Sequence, residues 1–440
     1  MSKTFRAWEV DQVWLLPPSI QDLVPPGHLS HFVRETVREG LDLSRIMDSY
    51  SEERGYPPYH PGMMVALLLY AYSQGIYSSR RIAKGCEERL DFAAVTGMQR
   101  PDFRTVSEFR KRHLAALSGL FVQVLQLCRA AGLVKLGHVA LDGTKIKANA
   151  SKHKAMSYGR MKQAEPALAA EVDRWLAQAG QTDQAEDRQF GAERRGEEMP
   201  DWVADKQQRL AKIRAAKSAL EAEAQAARRG EDSPPDDGPG TAGGTPEPAP
   251  VPDKAQRNFT DPESRIMKTK DGFIQSYNAQ AAVDSQAQVI VAYQLTNSST
   301  DQAQLAPLVT AVRANTGRNP DEVSADAGYC SAANLRTLAR RRITGYVATG
   351  RQRHGTAAAV GERKHRPGIV AKMAAKLKRA GHRSRYRWRK QVVEPVFGQI
   401  KQARGFRQFL LRSIDKVTAE WAIICTVHNL LKLARATSRP

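Results

Sequence analysis

The stretch His138–Ala148, HVALDGTKIKA, decides how the chain is read. Its alternation of apolar and polar residues has the period of a strand, and it marks a change of texture. Everything before it is spaced as helix: MMVALLLYAYSQG (63–75), SSRRIAKGCEERLDFAAVTG (78–97) and RTVSEFRKRHLAALSGLFVQVLQLCRAAG (104–132) each close on a glycine. Beyond it, YNAQAAVD (277–284), QVIVAYQLT (288–296), DEVSADAG (321–328) and TGYVATG (344–350) read as strands. TDQAQLAPLVTAVRANTG (300–317) and SAANLRTLARR (331–341) read as helices between them. The expected fold is α+β or mixed α/β: an all-helical unit over residues 1–135, then a mixed sheet flanked by helices over 136–440.

Two segments interrupt the second unit. Residues 151–229 are rich in Ala, Glu, Gln, Lys and Arg and favour long solvent-exposed helices. Residues 230–253, GEDSPPDDGPGTAGGTPEPAPVPD, combine Pro, Gly and acids that pack no core, and read as a disordered linker. An insertion between neighbouring strands adds closure entropy only logarithmically, so a site can tolerate it. Its reading stays open between a wall of a substrate channel, a subunit contact and a surface excursion.

Composition narrows the partners. With 67 Lys and Arg against 46 Asp and Glu, the 440-residue chain carries a formal +21. Residues 351–440 alone hold 22 basic and 4 acidic residues, interleaved with Tyr386, Trp388, Phe397, Phe406 and Phe409. That pattern points to nucleic acid and away from an enzyme of neutral metabolites. The four cysteines form no CxxC pair, which excludes a cysteine zinc site of the usual spacing. The longest apolar run, Met63 to Tyr72, is half of what a bilayer crossing needs, and MSKTFRAWEV lacks the apolar core of a signal peptide; a cytoplasmic protein with no membrane partner is expected.

Three acids stand at informative places. Asp142 follows the apolar Val139-Ala-Leu, although Asp142-Gly143 is also a common hairpin-turn pair. Asp326 ends a predicted strand and could equally cap the next helix. Glu394 lies among Arg387, Arg389, Lys390, Lys401 and Arg404, and Lys390 four residues before it offers an ordinary surface ion pair. Taken together, two acids after strands and one in a basic helical segment can meet at one end of a sheet. Three carboxylates there could hold two divalent cations, the arrangement that activates an attacking oxygen and stabilises a leaving oxygen at phosphorus.

The words LDGTKIKANASKHKAMSYGRM (141–161), SADAGYCSAANL (324–335) and YRWRKQVVEPVFGQIKQARGFRQFLLRS (386–413) resemble the DDE transposases of bacterial insertion sequences, whose catalytic domain is RNase H-like. YPPYHPGMMVALLLYAYSQGIYSSRRIA (56–83) and RTVSEFRKRH (104–113) are similar to that family's N-terminal helical domain. The resemblance implies that Asp142, Asp326 and Glu394 are the catalytic, metal-binding triad, with Mg²⁺, or Mn²⁺ in its place, as two ions. It implies cleavage at terminal inverted repeats and strand transfer into target DNA, with double-stranded DNA as partner and a homodimer holding two ends. The family's Tyr–Arg–Glu–Lys signature falls on Tyr386, Arg389, Glu394 and Lys401. Four residues separate Arg389 from Glu394, one more than the commoner form, and Lys390 fits the shorter spacing, so both are candidates for the DNA backbone. Pro395 predicts that a helix starts or kinks at Glu394. Arg104, Arg110, Lys111 and Arg112 form a basic helix of helix-turn-helix character, capped by Thr105 or Ser107, as further DNA contacts. Asn149 and His153 read as loop hydrogen-bonders. Two alternatives remain at this level: a metal-dependent nuclease that does not join, and an inert or domesticated DNA-binding protein.

Overall fold

The computed structural model describes residues 19, 22, 24–50, 58–190, 201–231, 250–269, 272–350 and 368–437. Helices come first: α1 (Leu29–Gly40), α2 (Ser44–Met47), α3 (Pro61–Ser73), α4 (Ser79–Glu88), α5 (Leu90–Thr96), α6 (Phe103–Arg112) and α7 (Leu114–Ala130). α3 starts with Pro61 in its first turn and with His60 accepting from the Gly62 N–H. Apolar on all sides, it is buried on all sides. α6 is capped by Asp102, which accepts from the backbone of Arg104 (2.6 Å) and Thr105 (3.1 Å). Thr105, expected as a possible cap, instead donates its hydroxyl to Asp102, and Ser107 lies inside the helix.

The mixed sheet follows. β1 (His138–Lys147), β4 (Arg265–Thr269), β5 (Gly272–Asp284), β6 (Ile290–Thr296), β7 (Glu322–Ala325) and β8 (Thr344–Val347) run β4-β5-β1-β7-β8, with β6 also on β5. The β5 pairs are antiparallel, whereas β1, β7 and β8 are mutually parallel. α10 (Leu305–Thr316) and α11 (Ala332–Arg340) connect β6 to β7 and β7 to β8; α12 (Ile369–Ala380), α13 (Trp388–Val392), α14 (Glu394–Gly398) and α15 (Ile414–Thr437) close the chain. A helical N-terminal region followed by a mixed sheet with flanking helices is the arrangement expected of an RNase H-like catalytic domain. The first half of β1 does not alternate: Val139, Ala140 and Leu141 are all fully buried, as befits a central strand covered on both faces.

Between β1 and β4 the chain makes an excursion. β2 (Ala155–Ser157) pairs antiparallel with β3 (Gln256–Asn258) and so closes its base, while α8 (Tyr158–Phe190) and α9 (Asp201–Glu231) pack on each other. Met161, Ile213, Ala216 and Leu220 give it a small core of its own. Residues 232–249, most of the expected linker, lie outside the described residues. The main core is continuous, running from α3 and α7 through the sheet to α15. Trp421 of α15 is fully buried and donates its indole N–H to the Gln280 carbonyl of β5 (3.1 Å). The α3–α4 turn also docks on the C-terminal segment: Tyr77 donates its hydroxyl to the Arg404 carbonyl (2.8 Å). Gly75, at φ +72°, approaches that same carbonyl so closely that a Cβ would lie 2.7 Å from it.

Candidate active site

Parallel register builds the site. β1 and β7 pair up to Ala140 with Ser324; Asp142 and Asp326 each stand two residues further on, where the strands part. Asp142 is not in a hairpin turn, because it continues β1 opposite Ala281 of β5. Gly143 has a packing role there, since a Cβ would lie 2.2 Å from the Gln280 amide nitrogen. Asp142 accepts from the Gly143 N–H (2.9 Å) through Oδ1, and Asp326 accepts from the Gly328 N–H (2.8 Å).

The third acid comes from a broken helix. α13 ends at Val392 and α14 begins at Glu394 with Pro395 in its first turn, the break that Pro395 predicted. Arg389 of α13 reaches both sides: Nη1 donates to Asp142 Oδ2 (2.7 Å) and Nη2 to Glu394 Oε1 (3.2 Å). Glu394 therefore pairs with Arg389, not with Lys390, which is exposed. Tyr386 accepts from the same guanidinium. Lys401 lies on the π-helical turn Gln399–Ala403 and donates to Thr144 Oγ1 (2.9 Å) of β1.

Burial sets the electrostatics. It pushes the Asp142 carboxyl up to about 6; Arg389 opposes the shift, while Asp326 and Asp301 add to it. Burial likewise raises Asp326, again against Arg389. For Arg389 burial disfavours the charge, yet Asp142, Tyr386 and Asp326 outweigh it and the guanidinium is held more firmly protonated. Charges that each cost free energy to bury are retained together because they compensate one another.

A fourth carboxylate belongs to this end of the sheet. Asp301 Oδ1 accepts from Asn278 Nδ2 and Gln280 Nε2, both at 2.7 Å. A Cβ on Gly328 would lie 3.0 Å from Asp326 Oδ1 and 3.1 Å from Asp301 Oδ2, so the two acids flank one glycine. Sequence reasoning passed over Asp301 as the start of a helix. Asp301 lies five residues beyond the end of β6, so it carries no strand-end signal like that of Asp326.

Elsewhere the candidate residues divide. Arg110 is no surface contact: it is buried and donates to Tyr72 Oη (3.1 Å), the Tyr77 carbonyl (3.0 Å) and Ser79 Oγ (3.3 Å). Its place on the inner face of α6, beside Val106 and Phe109, removes it from the DNA-binding candidates. Arg104, Lys111 and Arg112 are exposed and line an open groove of about 920 Å³ with Tyr50, Tyr59 and Phe103. Arg112 already donates to the Ser49 carbonyl (2.9 Å). Asn149 serves the fold by donating to the Leu410 carbonyl (2.7 Å), and Trp388 packs edge-on to His138.

The comparisons with known proteins match two stretches of the chain. Residues 18–112 match the model of a Transposase domain (DUF772), and residues 244–430 match that of a Transposase DDE domain. The chain belongs to the DDE transposases of insertion sequences. Comparison with curated proteins and with solved structures gives no match. Asp301, Asp326 and Glu394 of the transposase fall inside the DDE match, while Asp142 precedes it. The family works with divalent metal, and all-oxygen carboxylate donors are the set that Mg²⁺ or Mn²⁺ takes. Among the described residues, however, no three His, Cys, Asp or Glu side chains are gathered closely enough to hold a metal ion, so the expected trio is not drawn together in this arrangement. The Arg389 fork stands between Asp142 and Glu394. No single helix among the described residues is long and apolar enough to cross a membrane.

Proposed function

We propose that this transposase cleaves DNA at the terminal inverted repeats of its element and transfers the freed 3′-hydroxyl ends into target DNA, with Asp142, Asp326 and Glu394 as its catalytic acids. The observation that carries the reading is the meeting of Asp142 and Asp326 at the parting of two parallel strands, with Glu394 tied to Asp142 through one arginine. Bound as a pair, divalent cations, Mg²⁺ or Mn²⁺, would supply Lewis acidity at the attacked phosphate. The chain's part is to hold the carboxylates as ligands, to fix the strand and to exclude wrong geometries.

Two exchanges at phosphorus follow. Water attacks first, its oxygen bonding to phosphorus as the bond to the 3′-oxygen breaks and that oxygen takes a proton. The new 3′-hydroxyl then attacks a target phosphodiester, and one ester bond replaces another, so no nucleotide triphosphate is required. Tyr386, Arg389, Lys390 and Lys401 would meet the strand's phosphates as it passes the acids. Arg104, Lys111 and Arg112 offer their groove to the element end. The helical unit up to residue 135 is then the end-binding domain and the remainder the catalytic domain, with two copies holding two ends.

The test is Mg²⁺-dependent nicking and joining of labelled duplexes that carry the repeats flanking the gene, wild type against Glu394→Gln. Nicking at the repeat end and joining to a plasmid, both lost in the variant, is the expected result. Cutting without joining would make the protein a nuclease, and specific binding with neither reaction an inert DNA-binding protein.

A further inference from the structure

Arg389 lies largely buried between two acids. Its side chain is only 11% exposed, and its two terminal nitrogens are divided between two carboxylates instead of gripping one. Its Nε is buried with no hydrogen-bond partner among the described residues. A guanidinium satisfied at its tips and orphaned at its Nε is held by charge rather than by a complete hydrogen-bond set. Asp326 adds to that charge without a direct bond. The residue sits on the five-residue α13, separated by the break at Val393 from the helix that bears Glu394.

We propose that Arg389 is the resident counter-cation of the catalytic carboxylates: in the free protein it takes up the charge of Asp142 and Glu394, which would otherwise help to hold a divalent cation, and it yields that position when DNA phosphate engages it. The inference rests on the reading of these acids as metal ligands. It accounts for acids that meet at one end of the sheet without forming, among the described residues, a cluster of three able to hold a metal. Two cations cannot share the position, because a divalent ion needs carboxylate oxygens about 2.1 Å away and would repel the guanidinium. A phosphate offers Arg389 the same planar, bidentate match that a carboxylate does. Metal and DNA are therefore coupled through one side chain: each raises the affinity for the other by the same factor. The transposase thus holds its metal weakly until a strand lies in the site.

The experiment measures Mn²⁺ binding to the full chain by the electron paramagnetic resonance signal of the free ion, with and without a duplex. Without DNA, Arg389→Gln should bind Mn²⁺ at least about tenfold more tightly than wild type, since a charged competitor for two ligands is gone. Arg389→Lys, which keeps the charge but loses the fork, should gain less. Adding duplex should tighten Mn²⁺ binding to wild type and leave Arg389→Gln nearly unchanged. Equal or weaker binding by Arg389→Gln, with its thermal melt intact, would show a merely structural ion pair and overturn the proposal. If that variant does not fold, Arg389→Lys decides alone, and equal or weaker binding overturns the proposal. Absence of Mn²⁺ binding in every protein, with DNA present, would instead bring down the metal-dependent reading itself.

Discussion

The two halves of the site are built by different means. Asp142 and Asp326 stand on neighbouring strands whose backbone pairing sets their separation, and Asp142 keeps only 16% of its side chain exposed. Glu394 stands on a five-residue helix just after a break and keeps 48%. The sheet half is fixed and electrostatically costly, with both acids pushed up by burial. The helix half is exposed and is held by a single charge partner. Rigid donors thus come from long-range pairing, and the adjustable donor from a local break in a helix.

The largest effect tests whether the halves act as one unit. Asp142→Asn and Asp326→Asn should each lower strand cleavage by at least about 10³-fold while duplex binding stays within a few-fold of wild type. Glu394→Gln should match them; cleavage that survives in Glu394→Gln alone would make the helix half dispensable. Loss of folding in all three would make the acids structural.

The contrast between buried and exposed charge extends to α6. Arg110→Ala should destabilise the protein by roughly 2–4 kcal/mol in urea unfolding, because it strands the Tyr72 and Ser79 hydroxyls and leaves a void. Arg104→Ala should cost less than about 0.5 kcal/mol and show itself in binding of the element end. Equal destabilisation by the two would refute the division of that helix into an inner and an outer face.

Glu420 offers a pH-dependent effect of similar size to that of Arg110. Burial lifts its carboxyl from the usual 4.5 to about 7, although the Leu411 and Leu410 N–H groups and the Arg110 charge pull the other way. The folded state therefore binds the proton more tightly than the unfolded chain. Its contribution to stability is complete below pH 4.5 and is lost as pH rises through about 7. Glu420→Gln lacks this titration, so between pH 4.5 and 8 wild type should lose on the order of 3 kcal/mol relative to the variant. Parallel melting curves across that range would show that the N–H bonds compensate the burial.

The smallest effect concerns the edge of the site. Lys401→Ala should weaken duplex binding and lower the slope of log affinity against log salt by about one. An unchanged slope would confine Lys401 to a fold role that includes its bonds to Thr144 and the Lys145 carbonyl of β1.

Much of this arrangement was legible beforehand. The strands and helices read between 277 and 347 fall where turn residues and periodicity put them, whereas β2, β3, β4 and α12 were not among them; the break at Pro395 follows from a missing N–H. Asp142, Asp326 and Glu394 each had an ordinary local reading, and it is the family resemblance of the words around them that joins them as a candidate triad. Three features were out of reach. Asp301 lies in a loop whose local signal is only a helix start, and its importance comes from Asn278 and Gln280 on another strand. Arg110 shares a helix with three exposed residues, Arg104, Lys111 and Arg112, and only packing against α3 and α4 turns it inward. The choice between Arg389 and Lys390 turned on which of two neighbours on a broken helix faces β1.

What the residues carried by themselves was therefore the charge, the pattern of elements and, through the family resemblance, the kind of protein and its candidate acids. Charge, periodicity and helix breaks are properties of a few adjacent residues and survive without a fold. What only the tertiary structure decided was register, burial and partnership: that 142 comes beside 326, that a fourth acid joins them, and that one arginine stands between two of the acids. Those depend on contacts between residues hundreds of positions apart, whose free energies exist only once the backbone pairing and the continuous core have formed.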